Sequence, residues 1–394
     1  MDAIGSAKAI HKKVVEWRRE LHRIPETDFD LVKTSQFVKD RLDEFGVEHR
    51  VMGRTGVVGL VRGIKDSPTI ALRADMDALP INEETGLPFA SKNGKMHACG
   101  HDAHTAMLLG VARILSENRE SLKGNVKLVF QPAEETTGGA KPMIEEGCLE
   151  NPKVDAIFGL HIGHLFREVG NGQIGVRFGE MMAAVDSFIV KVRGRGGHGA
   201  RPHQCVDPVT TAAEMIMGLQ KIVSREIDPT HGAVVTVGMI KGGTTTNVIP
   251  EEVEFRGTIR TLNPDDRQFI EKRFAEMCSS IAEANRAKAE INYANYYPAV
   301  INDEEMTRVL AGAAAKIVGE ENVVEIRSPS MGAEDMAYYL QRTRGSFCSL
   351  GSGKKDGNNE YPHHHPKFDI DEDVLWIGPA LFVQTVLDLS DGMI

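Results

Sequence analysis

The fold of this chain is indicated most directly by residues 126–135, which read Val-Lys-Leu-Val-Phe-Gln-Pro-Ala-Glu-Glu. A short apolar run of this kind is typical of a strand that is buried on both faces of a parallel sheet. Pro132 ends the run, and Glu134 and Glu135 follow at once. Open α/β sheets bind ligands outside the carboxyl ends of their strands. We therefore expect these two carboxylates to lie where such a sheet carries an active site.

Apolar runs and helical patterns alternate on both sides of this stretch. Further strands are predicted at residues 57–61, 70–74 and 156–160. Helices are predicted at residues 7–23, 34–45, 304–318 and 373–387, and from about His101 onward. This alternation predicts an α/β domain with a mixed, largely parallel sheet and helices on both faces.

The middle of the chain follows a different order. Strand patterns cover residues 185–192, 233–240, 253–259 and 289–294, and two helices open at Pro208 and Pro264. The order β-α-β-β-α-β predicts a ferredoxin-like α+β unit. Because a chain of 394 residues is long for a single core, we expect residues 182–296 to form a domain inserted into a domain of residues 1–181 and 297–394.

Composition narrows the classes of function. A net charge of −10 and an aromatic content of 6% argue against nucleic acid or an anionic membrane as a partner. No stretch is expected to reach the about 20 apolar residues of a membrane span, and the first residues lack a signal-peptide core. The five scattered cysteines, an odd number, fit a reducing compartment, so we expect a cytoplasmic protein.

Residues 96–104, Met-His-Ala-Cys-Gly-His-Asp-Ala-His, carry a thiol, a carboxylate and three imidazoles. Thiolate and neutral imidazole suit borderline-soft divalent metals. Cys99 and His101 alone are weak evidence, because a buried cysteine is often a small inert hydrophobe. His161 at a strand end, the histidines at 363–365 and the glutamate pair add further ligand types. We therefore predict a metal-dependent hydrolase in which one glutamate binds metal and the other acts as a base.

Two other motifs allow more than one interpretation. Asp75 and Asp77 close a predicted strand, and they either orient metal ligands through hydrogen bonds or cap a turn. Residues 193–203 are glycine-rich and basic, but they have neither the ending of a P-loop nor the spacing of a dinucleotide fingerprint. They form either a loop that presents His198 to an anion or carbonyl oxygen, or a plain hairpin loop.

Taken together, these motifs resemble the hippurate hydrolase, or N-acyl-amino-acid amidohydrolase, branch of the aminoacylase and carboxypeptidase family of metallopeptidases. Auxin-conjugate hydrolases and N-acetyldiaminopimelate deacetylases belong to the same branch. The resemblance runs from residues 19–26 through residues 247–250 to residues 331–335. It implies a zinc-peptidase-like catalytic domain and a lid or dimerisation role for the inserted domain.

The resemblance also implies a reaction and a set of site residues. The reaction is hydrolysis of the amide of a small N-acyl amino acid by metal-activated water, with two divalent ions (Zn, Mn, Co or Ni). The implied metal ligands are Cys99, His101, Glu135, His161 and His364, with His363 as the alternative to His364. The other implied roles are Glu134 as general base, His198 in the partner subunit's site, and Asn247 and Arg260 on the substrate carboxylate.

One departure from the wider family concerns the metal site. Where the family carries His-x-Asp, this chain has Asp75-Met76-Asp77. A homodimer or a dimer of dimers is the expected assembly. The alternative functions are a dipeptidase or carboxypeptidase of the same family, a two-metal phosphoesterase or nuclease, and a non-catalytic metal-binding relative.

Overall fold

The computed structural model describes residues 1–353 and 361–390. Contacts divide the chain into two compact units. Unit 1 comprises Met1–Gly179, Ile301–Pro329 and Asp335–Ile394, and unit 2 comprises Glu180–Val300 and Ser330–Glu334. The separate roles expected for the two predicted domains stay a prediction.

Helices of unit 1 surround a mixed sheet. They are α1 (Ala3–His22), α2 (Val32–Glu44), α3 (His101–Glu117) and α4 (Ala140–Glu145) in the first part of the chain. Unit 2 contributes α5 (Pro208–Lys221) and α6 (Pro264–Ala284). The chain ends with α7 (Glu304–Val318), α8 (Met336–Leu340) and α9 (Ile377–Ser390), which belong to unit 1.

The strands of unit 1 form one sheet, which has eight strands among the described residues, in the order β1-β2-β4-β3-β5-β16-β6-β15. They are β1 (Glu48–Met52), β2 (Gly56–Val61), β3 (Thr69–Asp75), β4 (Asn125–Gln131), β5 (Ala156–Gly163), β6 (Ile174–Val176), β15 (Val323–Glu325) and β16 (Arg344–Gly351). The central strands β4, β3, β5 and β16 run parallel to one another. The predicted mixed, largely parallel sheet is therefore confirmed.

The central strands are buried throughout. Every residue of β3, β4 and β5 is buried, as expected for parallel strands covered on both faces. Helices α1, α3, α7 and α9 contribute apolar side chains to the same core. The ends of these strands are consequently held rigidly, which suits a site that needs fixed side chains.

Unit 2 is built around a four-stranded antiparallel sheet in the order β10-β12-β8-β13. Its strands are β8 (Ala184–Arg193), β10 (Ala233–Gly242), β12 (Glu252–Thr261) and β13 (Lys288–Asn295). Its shorter strands are β9 (Gly197–His198) and β11 (Val248–Ile249). Two further short strands, β7 (Gly179–Met182) and β14 (Val300–Asn302), each include residues of both units. Strands and helices follow each other in the predicted ferredoxin-like order.

The two helices of unit 2 begin where the sequence predicts. Asp207 and Asn263 each accept a hydrogen bond from a backbone N–H of the following turn, and proline occupies the first helical position after each of them. This combination fixes a helix start, because proline lacks the N–H that would otherwise be unpaired. Alternate residues of β8 are buried, so one face of the sheet packs against a core that α5 and α6 share.

The C-terminal segment corrects one expectation from the sequence. Residues Glu372–Ser390 are long and apolar enough for a membrane span, with a mean hydropathy of 1.2, so the expectation that no stretch reaches that length is wrong. However, 67% of this window is buried inside the structure. The segment is apolar because α9 packs in the core of unit 1.

Candidate metal and catalytic site

The candidate site of unit 1 begins at the carboxyl ends of the parallel strands. The pairing of β3 with β4 ends at Asp75 and Gln131. Glu134 and Glu135 follow β4, and His161 lies near the end of β5. Since parallel strands end at the same edge of a sheet, their polar side chains come together there.

Two backbone features direct the site residues. Ala133 is buried and has a positive φ of 56°, an uncommon conformation for a residue with a side chain and one that clusters at functional sites. It lies between β4 and the glutamate pair. Gly100 separates Cys99 from His101 and has a φ of 86°. A Cβ atom at Gly100 would lie 2.8 Å from Cγ2 of Ile162, so a side chain does not fit there.

The five predicted metal ligands fall into two groups that share Cys99. Within each group the ligand atoms lie within 4.8 Å of one another. One group is Cys99, His101 and His161, and the other is Cys99, Glu135 and His364. The Cys99 Sγ atom is 3.4 Å from Nε2 of His161. This arrangement fits two metal positions with the thiol between them.

The neighbouring histidines 363 and 364 differ in their surroundings. Nε2 of His364 is 3.2 Å from Oε2 of Glu135, and the His364 side chain is 52% exposed. Nδ1 of His363 is 3.5 Å from Cys99 Sγ, but its Nε2 accepts a hydrogen bond from the backbone N–H of His164. His363 is therefore engaged at one nitrogen, whereas His364 faces the predicted ligand Glu135. Geometry favours His364 and leaves His363 close by.

Asp77 holds the two glutamates and His101 in place. Its Oδ1 and Oδ2 atoms accept the backbone N–H groups of Glu134 and Glu135, each at 3.0 Å. Its backbone carbonyl is 3.0 Å from Nδ1 of His101. With Nδ1 protonated and donating to that carbonyl, Nε2 of His101 is left as a lone-pair donor.

The cluster is dominated by buried acidic groups. Burial, together with the carboxylates of Glu135, Glu134 and Asp75, raises the pKa of the Cys99 thiol well above its usual range. Burial acts to lower the pKa of His101, but Asp75, Asp77 and Glu135 raise it to about 10. Burial lowers the pKa of His363 to about 3. The buried carboxylates thus stabilise positive charge on a group that faces them, such as the His101 ring.

The donor set fits divalent metal ions. Among the described residues, Nε2 of His101 and Oε1 of Glu135 are buried without a hydrogen-bond partner, and they face each other at 3.8 Å. Buried polar atoms are normally paired, so two such atoms on opposed ligand-type side chains indicate a missing partner. Thiol, imidazole and carboxylate donors together match a zinc-like or other first-row metal.

Glu134 lies beside these ligands. Its carboxylate, that of Glu135 and a nitrogen of His101 approach within 4.8 Å of one another, and Glu134 is only 7% exposed. The two glutamates therefore reach the same space from neighbouring positions. This placement is what the predicted division into one ligand and one base requires.

Two of the predicted residues in unit 2 are brought together by short strands. His198 in β9 pairs with Val248 in β11, and the backbone N–H of Gly199 donates to the carbonyl of Asn247 at 2.8 Å. Both His198 and Asn247 are exposed. The glycine-rich stretch that carries His198 is therefore a loop fixed by a strand pair.

Arg260 occupies a separate position in β12. It is half-buried, and burial lowers its pKa. In the part of the chain that the structure describes, no hydrogen bond or ion pair engages its guanidinium. The nearby Asp186 carboxylate is bound instead by Arg267 and Tyr293. A half-buried guanidinium without a partner is suited to an anionic ligand.

A buried ionic network beneath the site was not predicted from the sequence. Arg73 donates to Asp75 at 2.8 Å and to Asp335 at 2.7 Å, and Gln131 donates to Asp335. Arg73 lies in an apolar strand, where a charged residue is almost never fully buried unless it is paired. That signal could have identified Arg73, but it does not reveal Asp335, which is 262 residues away.

A second missed network supports the start of α3. Asp102 accepts hydrogen bonds from Arg18 at 2.9 Å and from His22 at 2.7 Å. His22 also contacts Glu83 at 3.1 Å. Burial opposes ionisation of Asp102, but Arg18 and His22 hold its pKa far below the usual range. Asp102, although it adjoins His101, is therefore used for structure and is not one of the site's ligand candidates.

The chain is similar to known proteins over most of its length. The model of peptidase family M20/M25/M40 matches residues 71–388. An N-acetyl-L-cysteine deacetylase of Bacillus subtilis (strain 168) is 44% identical over 365 residues, covering 92% of this chain and 85% of that protein. An IAA-amino acid hydrolase of Arabidopsis thaliana is 40% identical over 370 residues, covering 92% of this chain and 82% of that protein.

A solved structure shows the same fold. The dinuclear metal-binding peptidase of the M20 family from Bacillus subtilis superimposes with a TM-score of 0.85 and 36% sequence identity, covering 98% of this chain and 100% of that chain. The metallopeptidase resemblance seen in the sequence is thereby confirmed. The chain is an enzyme that hydrolyses amides and belongs to peptidase family M20/M25/M40.

Proposed function

We propose that this enzyme hydrolyses the amide bond of N-acyl amino acids with the help of two divalent metal ions. The observation that carries the proposal is the grouping of Cys99, His101, His161, Glu135 and His364 into two triads that share the thiol. Two relatives, an N-acetyl-L-cysteine deacetylase and an IAA-amino acid hydrolase, support an N-acyl amino acid as substrate.

Each triad would hold one metal ion. Cys99, His101 and His161 would bind one ion, and Cys99, Glu135 and His364 would bind the other. When bound, such ions polarise the amide carbonyl and make water a stronger acid at neutral pH. The thiolate and imidazole donors suit zinc and nickel, and the carboxylate donors suit manganese, so zinc, manganese, cobalt and nickel are the candidate ions.

Glu134 is the proposed general base. Its carboxylate lies within 4.8 Å of a nitrogen of His101 and a carboxylate oxygen of Glu135, so it reaches the space where water would attack. It takes a proton from the attacking water and returns it to the leaving nitrogen. Acid–base catalysis of this kind contributes about 10²–10⁴-fold to the rate.

The substrate carboxylate is the proposed ligand of Arg260 and Asn247. Among the described residues, no hydrogen bond or ion pair engages the half-buried Arg260 guanidinium, although the Asp186 carboxylate acts to raise its pKa. A guanidinium binds a carboxylate with two parallel hydrogen bonds. An enzyme built in this way prefers amides whose amine product is an amino acid with a free α-carboxylate.

We propose a homodimer, or a dimer of dimers, in which His198 acts in the neighbouring subunit. Strand β10 is an edge of the sheet of unit 2, and Val234, Met239 and Ile240 on it are exposed by 37%, 45% and 54%. A long edge strand with apolar side chains readily pairs with another chain. His198 would then help to stabilise the oxyanion that forms from the amide carbonyl.

The cytoplasm is the compartment that we propose. All five cysteines lie in the described ranges and are free thiols, and one of them would have to stay reduced to bind metal. Free thiols of this kind persist in a reducing compartment.

A substrate panel tests the proposed specificity. N-acetyl, N-benzoyl and long-chain N-acyl amino acids are assayed for amino acid release with added manganese, cobalt, zinc or nickel. Each good substrate is then compared with its α-carboxamide. We expect the carboxamide to lose most of kcat/KM. Arg260→Ala should reduce the difference in kcat/KM between the free acid and the carboxamide. Equal hydrolysis of acid and carboxamide by the unmodified enzyme would refute the proposed binding of the substrate carboxylate by Arg260 and Asn247.

Arg256 offers a matched control for this experiment. It lies on the same strand, four residues before Arg260, and is exposed and paired with Glu254 at 2.7 Å. Arg256→Ala should keep the full preference for the free acid. If Arg256→Ala narrowed the gap as strongly as Arg260→Ala, a general change of charge would explain the result and the specific role of Arg260 would be refuted.

Mixed dimers test the action of His198 in trans. His198→Ala and Glu134→Gln are each expected to be inactive, and mixing them should restore some activity because one hybrid site then contains both groups. His203→Ala, a change of another exposed histidine on the same loop, should stay active alone. Verified mixed dimers without recovered activity would contradict this arrangement.

The alternative is a dipeptidase or carboxypeptidase of the same family. Both would use the same metal site, and they differ in accepting an aminoacyl group in place of a simple acyl group. The substrate panel separates them when dipeptides are included beside N-acetyl amino acids.

A further inference from the structure

His104 lies between two of the proposed metal ligands without belonging to either triad. Its ring stacks on that of His101 with a centroid distance of 5.4 Å. It meets the ring of His161 edge-on at 4.8 Å. His104 is 3% exposed, so the packing on both sides is close. The ring therefore occupies the space behind both imidazoles.

Both nitrogens of His104 are already used in hydrogen bonds. Nδ1 is 2.5 Å from Oδ1 of Asp75, and Nε2 accepts the backbone N–H of Ile162 at 2.8 Å. Nδ1 therefore carries the proton and donates to the carboxylate. Although Asp75, His101 and His104 bring ligand atoms within 4.8 Å of one another, His104 has no lone pair left for a metal.

The hydrogen bond to Ile162 bridges a gap in the sheet. Strands β3 and β5 pair up to Arg73 and Gly159, and beyond that point the two strands are not paired with each other. His104 reaches into this opening from α3 and links Asp75, at the end of β3, to Ile162 in β5. Arg73 fixes the far oxygen of Asp75 at 2.8 Å.

Ile162 in turn determines the orientation of His161. Nδ1 of His161 donates to the carbonyl of Ile162 at 2.8 Å, which leaves Nε2 facing the Cys99 thiol at 3.4 Å. A shift of the backbone at Ile162 would rotate the His161 ring away from the thiol. Hydrogen bonds that orient a metal-binding imidazole commonly matter 10–100-fold for metal affinity, as an order of magnitude.

We propose that His104 is a positioning residue that holds His161, and through it one of the two metal positions, in the geometry needed for binding. This inference rests on the proposed metal site. It assigns to Asp75 the task of fixing the His104 ring. The path runs from Arg73 through Asp75 and His104 to Ile162 and His161.

Metal titration of His104 variants tests this inference. Wild-type protein, His104→Ala and His104→Gln are titrated with Co²⁺ after metal removal, and affinity and the visible absorption spectrum are recorded. We expect His104→Ala to lose about 10–100-fold in affinity at one of two sites and to alter the cobalt ligand-field bands. The Gln side chain offers an acceptor for the N–H of Ile162, so His104→Gln should recover part of the loss.

Thr105→Val is the matched control. Thr105 is fully buried on the next position of α3 and donates to the backbone carbonyl of Asp75 at 2.9 Å. The Thr105→Val change weakens the same contact between α3 and β3 but leaves the hydrogen bond to Ile162 in place. The cobalt affinity and spectrum of this variant should therefore stay at the wild-type values. A loss as large as that of His104→Ala would show a general structural effect and refute the positioning role.

The remaining outcomes separate this inference from the proposed function. Wild-type protein that binds no Co²⁺ would refute the metal site itself. Two-site binding by wild type, with unchanged affinity and spectrum in His104→Ala, would refute only the role of His104. If His104→Ala does not fold, the cobalt titration of His104→Gln takes its place. Wild-type cobalt affinity together with a wild-type spectrum, found in both Asp75→Asn and His104→Gln, would also refute the role of His104.

Discussion

Replacement of Asp77 by asparagine probes how the glutamate pair is held. Both carboxylate oxygens of Asp77 accept a backbone N–H, from Glu134 and from Glu135, at 3.0 Å each, and Asp77 is 1% exposed. Asparagine has the same shape but only one acceptor oxygen. Its amide N–H₂ would face a backbone N–H, so one of the two donors would lose its partner.

The expected cost follows from these contacts. A hydrogen bond to a charged group contributes about 1.5–3 kcal/mol, and leaving a buried donor unpaired costs about 1–3 kcal/mol. Both contributions describe the loss of the same hydrogen bond, so they do not add fully. We therefore expect Asp77→Asn to lower the free energy of unfolding by about 2–5 kcal/mol. Catalysis should fall further, since a displacement of about 1 Å at a reacting group can cost about 10²-fold in rate.

Urea unfolding, followed by circular dichroism at fixed metal content, measures the change. Asp28→Asn is the control: Asp28 is partly exposed and accepts hydrogen bonds from the hydroxyls of Thr136 and Thr137 in the same loop. Asparagine can still accept there, so the change should stay within about 0.5 kcal/mol. If Asp77→Asn lowered the free energy of unfolding as little as Asp28→Asn and kept full activity, the role of Asp77 in holding Glu134 and Glu135 would be refuted.

Three further predictions concern the same site and its support. Glu134→Gln should keep normal metal content but lose about 10² or more in turnover, whereas metal loss in Glu134→Gln but not in Glu135→Gln would reverse the two roles. Cys99→Ser should weaken metal binding in both triads, which share this residue, and an effect on one ion only would contradict sharing. Burial acts to raise the pKa of Glu83, but His22 lowers it to about 2. The difference in free energy of unfolding between wild type and Glu83→Gln should therefore shrink as pH falls from 5 to 3. A difference in urea unfolding that stays constant over this pH range would contradict the prediction.

The sign of the last prediction follows from the direction of the pKa shift. The folded protein holds the pKa of Glu83 below its ordinary value of 4.5. The ionised carboxylate is therefore favoured in the folded state, and its contribution is fully present above the ordinary pKa. Protonation removes the contribution as pH falls toward the folded value.

The sequence predicts most of the secondary structure that carries the site. The apolar runs at residues 70–74 and 126–130 correspond to β3 and β4, and the Asp207-Pro208 and Asn263-Pro264 pairs mark two helix starts. These signals are local, because burial on both faces demands a continuous apolar run and a capped proline fixes a helix start. Local signals suffice where one element determines its own pattern.

The central strand β16 was missed for a local reason as well. Its residues Arg344–Gly351 include glycine, serine and cysteine in place of the β-branched residues that mark a strand. It forms because β5 and β6 pair with it on either side. Its position in the sheet, and not its own sequence, determines its conformation.

Long-range polar contacts could not be predicted from the sequence. The pairing of Arg73 with Asp335 and the reach of His104 to Ile162 join residues that are far apart in the chain. His104 lies on a helix with almost entirely buried residues, where a histidine reads as an ordinary core residue. Only the fold shows which strand end it meets.

Amino acid release from an N-acetyl amino acid, measured before and after complete metal removal and again after metal is restored, tests the central claim most directly. The account predicts that rigorously metal-free wild-type protein is inactive and that two equivalents of a divalent ion restore hydrolysis. It also predicts that Glu134→Gln with the same metal content stays slower by about 10² or more. Hydrolysis at the full rate by metal-free protein, or by metal-loaded Glu134→Gln, would contradict it.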